Sequence, residues 1–137
     1  MPNATDTVLD LSAITLRELN SRLQAVAAGS NERDFTVTNP EGAHSIAVGL
    51  TQPIRVTVEG HTGFYCGGMN QQAEILVRGH AGPGLAENMM SGTVRVTGNA
   101  SQAAGATGQG GLLVIEGSTS SRCGISMKGI NIVVGGS

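Results

Sequence analysis

The sequence predicts an all-β chain: a single-stranded, right-handed parallel β-helix with 19-residue coils, preceded by a short N-terminal capping helix. Three observations carry this reading. Five glycines, Gly60, Gly79, Gly98, Gly117 and Gly136, recur every 19 residues, and self-similarity at a period near 20 marks a stacked-repeat fold. Two columns before them are purely aliphatic: Val58, Val77, Val96, Ile115 and Val134 at position −2, and Val56, Ile75, Val94, Leu113 and Ile132 at −4. Aromatic residues make up only 2% of the chain, so the core must be built from Val, Ile, Leu and Ala, which suits narrow, evenly spaced layers.

The elements follow in order. Val8, Leu9 and Leu11 suggest a short strand, and Thr15 with Glu18 three residues on reads as a capping box. Leu16, Leu19, Leu23 and Ala27 share one helical face until Gly29, which predicts an amphipathic helix over about 15–28. Its expected role is to cover the first layer of the stack, because an open solenoid end exposes apolar side chains and unpaired strand edges. Phe35 and Val37 begin an irregular first coil, in which Glu41 stands where the period would place a glycine. Regular coils begin near Ile54, Ala73, Thr93 and Leu112, and another starts at Ile130. The expected organisation is an N-terminal strand and helix over 1–33 and a β-helix over 34–137, apparently truncated at its C-terminus.

Each coil carries further small residues in register. Position +3 reads Gly63, Gly82, Ser101 and Ser120, and position +7 reads Gly67, Ala86, Gly105 and Gly124. These are the expected corners, where glycine permits positive φ or close approach of adjacent layers. The column at +6, Cys66, Leu85, Ala104 and Cys123, offers a third inward-facing side.

Composition excludes several functions. The net charge is −2, and Arg55, Arg78, Arg95, Arg122 and Lys128 share no column, so no basic stripe forms for nucleic acid. The first twelve residues lack a positive n-region and an apolar run, and no stretch of about 18 apolar residues occurs. The expected location is the cytoplasm. Cys66 and Cys123 lie three periods apart in one column, a gap of roughly 14 Å at about 4.8 Å per layer, too long for a disulfide.

Candidate chemistry is sparse. The glycine-rich runs 79–84 and 105–111 lack both the strand, G-x-G-x-x-G, helix order and a Walker lysine, so they read as solenoid corners. His61 and His80 share position +1 and should stack on adjacent layers, with Asn99 and Ser118 continuing a polar ladder; no third metal ligand is in line. Tyr65 precedes Cys66 and Arg122 precedes Cys123, and a neighbouring cation can activate a thiol, although packing accounts for both cysteines. Met69, Met89, Met90 and Met127 fall between +9 and +11, and together with Tyr65 and Arg122 they mark a candidate interface side. No catalytic, cofactor-binding or metal residue is assigned.

The glycine order in Gly60-His-Thr-Gly63-Phe-Tyr-Cys-Gly67, with the wording of 79–92, 100–111 and 120–129, resembles the GXGXG domain family. That family includes the C-terminal β-helix of the glutamate synthase large subunit and the stand-alone β-helix subunits of glutamate synthase-like complexes, N-methylglutamate synthase among them. The resemblance implies a noncatalytic structural subunit that holds a glutamine amidotransferase-like subunit and an FMN-dependent synthase-like subunit, with FMN and iron–sulfur groups carried by the partners. The competing expectations are an independent β-helix enzyme using a thiol or histidine and a homo-oligomeric assembly module.

Overall fold

The computed structural model describes residues 7–137. Seven strands form one all-parallel sheet in strict sequence order: β1 Thr7–Asp10, β2 Asp34–Thr38, β3 Arg55–Glu59, β4 Glu74–Arg78, β5 Thr93–Val96, β6 Leu112–Ile115 and β7 Asn131–Val134. The chain is a right-handed parallel β-helix of about five turns with one strand per coil. The register is that of the period. Val56 pairs with Ile75, Ile75 with Val94, Val94 with Leu113 and Leu113 with Ile132, while Val58, Val77, Val96, Ile115 and Val134 pair in the same way. In β3–β6 both columns are buried, because alternate strand residues face one side. Each such side chain withdrawn from water contributes about 1.5–3 kcal/mol before entropy is counted.

The outward columns carry the charges. Arg55 pairs with Glu74 at 3.2 Å, Arg78 with Glu59 at 3.5 Å and Arg95 with Glu116 at 2.9 Å, each across neighbouring strands. All are solvent-exposed, so each contributes at most about 1 kcal/mol.

The glycine columns have two separate causes. At +7, the N–H of the residue that follows bonds back to the carbonyl at +5, as in Gly68 to Tyr65 at 3.1 Å and Glu87 to Gly84 at 3.1 Å. The third residue of each such turn, Gly67, Ala86, Gly105 or Gly124, has positive φ between 55° and 70°, as a type II turn requires. The landmark glycines answer to close approach instead. A Cβ on Gly79 would lie 2.8 Å from the Gly60 carbonyl oxygen, and one on Gly98 would lie 2.7 Å from the Gly79 oxygen and against His80 Nδ1.

The first coil departs from the expected alignment. Asp34 pairs with Arg55, a step two residues longer than that from Arg55 to Glu74, so Asn39 rather than Glu41 follows the strand where later coils place glycine. Asn39 takes φ 55°, a conformation asparagine tolerates better than most residues. Its amide donates to Asp10 Oδ1 at 2.8 Å, tying this corner to the end of β1. That bond and two more from Ser12 hold the Asp10 carboxyl down at about 2.

Helix α1 spans Leu16–Gln24 and opens on the expected capping box: the Glu18 N–H donates to Thr15 Oγ1 at 3.1 Å and the Thr15 N–H to Glu18 Oε1 at 3.2 Å. It is shorter than the sequence periodicity predicts. The chain leaves the helix at Ala25, which lets Val26 turn into the core and leaves Ala27 exposed. Leu19 and Leu23 are buried as expected.

A polar residue completes the cap. In later coils the +7 N–H donates to the coil before it, as Gly67 does to Ile46. Ala47, with no earlier coil beneath it, donates to Asn20 Oδ1 at 2.9 Å, and Asn20 Nδ2 donates to the Ser45 carbonyl at 2.8 Å. The Asn20 amide thus replaces a missing layer of backbone. Asn20→Ala is expected to cost about 1–3 kcal/mol by orphaning these groups, read as a lower urea midpoint with an unchanged slope.

Candidate functional site

The +1 column forms a hydrogen-bond ladder along the stack. His61 Nδ1 accepts the His80 backbone N–H at 2.9 Å, His80 Nδ1 accepts that of Asn99 at 2.8 Å, and Asn99 Oδ1 accepts that of Ser118 at 2.8 Å. The two imidazoles stack as the period demands, centroids 4.9 Å apart and planes inclined by 14°. An N–H aimed at Nδ1 needs a lone pair there, so a neutral ring carries its proton on Nε2. Neither ring has a nitrogen to give a metal without breaking a rung. Among the described residues, no group of three or more His, Cys, Asp or Glu side chains is placed to hold an ion. His44 makes the same kind of bond outside the column, accepting the Phe64 N–H at 2.8 Å.

The glycine-rich runs offer no phosphate cradle. The N–H groups of Gly82, Gly84 and Gly105 donate to Thr62, Gln102 and Leu85 of neighbouring coils. An N–H spent on the ladder between layers is not available to an anion.

Both cysteines are free. Cys66 is fully enclosed in the +6 column, and burial pushes its thiol up to about 12, with the Thr62 hydroxyl a smaller opposing influence. A thiol so held supplies no nucleophile near neutrality. Cys123 is half-buried. Iodoacetamide at pH 8 should therefore label Cys123 first and leave Cys66 unmodified until the stack opens; equal labelling rates in the folded chain would contradict this packing.

The candidate interface residues divide. Met89 is fully buried and belongs to the core, a correction to its expected place on the surface. It packs against the Gly111 corner, where a Cβ would lie 2.7 Å from its Cε, so this methionine fills a gap within the stack. Met69, Met90 and Met127 are 51%, 40% and 43% exposed, and Tyr65 and Arg122 are also on the surface. Tyr65 and Arg122 share one corner column, +5, with φ 62° and 61°. Phe64 joins this face at 45% exposure, with its ring edge-on to Tyr65 at 6.0 Å. Two of the three aromatics thus stand side by side in water, and exposed apolar clusters of this kind mark interaction surfaces. Sequence reasoning passed over Phe64, although the Phe-Tyr doublet in a strandless stretch was a signal.

The chain is similar to Protein GlxC. That protein, from Rhizobium meliloti (strain 1021), is 56% identical over 62 residues. The matched stretch is 45% of this chain and spans 27% of the length of Protein GlxC. No protein-family model matches the chain, and no solved structure matches it. No helix among the described residues is long and apolar enough to cross a membrane.

Proposed function

We propose that the chain is a noncatalytic structural subunit of a glutamate synthase-like complex acting in nitrogen transfer to a glutamate skeleton. In this reading it positions a glutamine amidotransferase-like subunit against an FMN- and iron–sulfur-bearing synthase-like subunit in the cytoplasm. The observation that carries the reading is the identity to Protein GlxC over 62 residues, in a chain whose corner wording resembles the GXGXG family. Two structural facts support it. Most of the polar groups that looked reactive are occupied in the scaffold: His61, His80 and Asn99 hold rungs, and Cys66 is sealed in the core, while Cys123 stays half-buried. The surface also carries exposed apolar residues, Phe64, Tyr65 and Met69 among them, as a positioning subunit needs.

The test is purification of the tagged chain from its native cell under gentle conditions. Co-elution with a flavin-containing subunit and an amidotransferase-like subunit, lost in a Phe64→Ser/Tyr65→Ser variant of unchanged Tm, is the expected result. Recovery of the chain alone, as a monomer, would overturn the reading.

A further inference from the structure

We infer that Tyr65, Met69 and Glu87 form a niche for an arginine side chain presented by a partner polypeptide. The inference deepens the scaffold reading, on which the choice of a partner chain as occupant rests. The niche is a surface pocket of about 380 Å³ on the exposed apolar face, lined also by Ser45, Val48 and Asn88.

Its geometry is set by a missing side chain. A Cβ on Gly84 would lie 2.5 Å from Tyr65 Cδ1 and 3.5 Å from Glu87 Oε2, so the aromatic ring and the carboxylate both crowd the space above that glycine. Gly84 has φ +77° and sits in the same corner column as Tyr65, one coil on. The bare corner lets the ring lie over the next layer beside the acid.

The Glu87 carboxylate is not engaged by the described residues. Glu32, Asp34, Glu59, Glu74 and Glu116 each face an arginine, and Asp10 and Glu18 accept hydrogen bonds at the cap, whereas Glu87, like the exposed Glu41, has no ion-pair partner among the described residues. It is half-buried among Tyr65, Val48 and Met69 and, among the described residues, is the one charged side chain lining the pocket. An apolar occupant would strip water from that carboxylate without repaying it. A guanidinium answers each surface: its plane stacks on the tyrosine ring, its fork meets the carboxylate, and its methylene stem lies along Met69. A free small cation is disfavoured because Tyr65 and Met69 remain 47% and 51% exposed, leaving apolar surface that only flanking residues of a polypeptide would cover.

The experiment titrates acetyl-Leu-Arg-Leu-amide into the nitrogen-15-labelled chain, with the norleucine analogue of the same peptide as the uncharged control. Saturable shifts at the amides of Gly84, Glu87 and Met69 are expected for the arginine peptide, weakened about threefold or more by Glu87→Gln and left unchanged by Glu41→Gln, an exposed acid outside the niche. Equal binding of the norleucine peptide, or an equal loss in both variants, would overturn the proposal. Self-association of the chain that weakens in Glu87→Gln would place the arginine on a second copy and overturn the choice of partner. Co-purification separates this from the scaffold reading: subunits recovered equally well with Glu87→Gln, together with a silent titration, reject the niche alone, whereas no subunits recovered with the unaltered chain reject the scaffold.

Discussion

Gly98→Val should destabilise the chain by about 3 kcal/mol or more, whereas Thr97→Val, one residue earlier and exposed, should fall within about 0.5 kcal/mol of the parent. The contrast isolates backbone approach from strand propensity. Position 98 is in the mid-stack, where the Gly79 carbonyl oxygen would be 2.7 Å from any added Cβ. The same Cβ would meet His80 Nδ1, the atom that accepts the Asn99 N–H. A side chain there must therefore either separate two layers or push the imidazole aside and orphan a backbone donor. Urea unfolding followed by circular dichroism reads both variants; equal midpoints would mean that the layers are not in contact at this column.

Phe35→Ala should cost about 3–5 kcal/mol, the range for emptying a buried aromatic site. Phe35 is the largest fully buried side chain of the stack and is 1% exposed. It heads the −4 column, pairing with Val56 above and with Thr7 of β1 below. Arg22 of α1 lies over its ring, with the guanidinium carbon 5.4 Å from the centroid, and the same arginine pairs with Glu32. The substitution therefore leaves a cavity and loosens the helix that covers it. If α1 docks through Phe35, hydrogen exchange in 16–24 should accelerate more than exchange in β4–β6. Uniform acceleration would instead show that the cap and stack open as one unit.

What repeats in the sequence was legible in it. Val58, Val77, Val96 and Ile115 stand one above another because a period expressed in aliphatic residues is also a period in space. The stacked His61 and His80 followed from the same arithmetic. Features that occur once escaped. Asn20 lies on the polar side of an amphipathic helix in any sequence pattern, and its role appears only when the unpaired corner at Ala47 is placed against it. The longer first coil shifted the glycine position from Glu41 to Asn39, since a fixed period cannot reveal an insertion inside one turn. Met89 and Met90 look alike in sequence, yet one fills a gap inside the stack and the other points to water, a difference set by a single step around the corner. The niche beside Tyr65 depends on a ring from one coil and a carboxylate from the next, with no spacing rule to announce it.

The rungs at +1 all point the same way: the earlier coil offers the acceptor and the later coil brings the N–H. A nascent chain leaving the ribosome N-terminus first would therefore find each template finished before the segment that needs it emerges. Strand pairs in such a tower are about one coil of chain apart, so each new turn docks on the one just completed without waiting for distant sequence. The direction of the ladder suits assembly during translation, storey upon storey, with the helix laid down as the foundation.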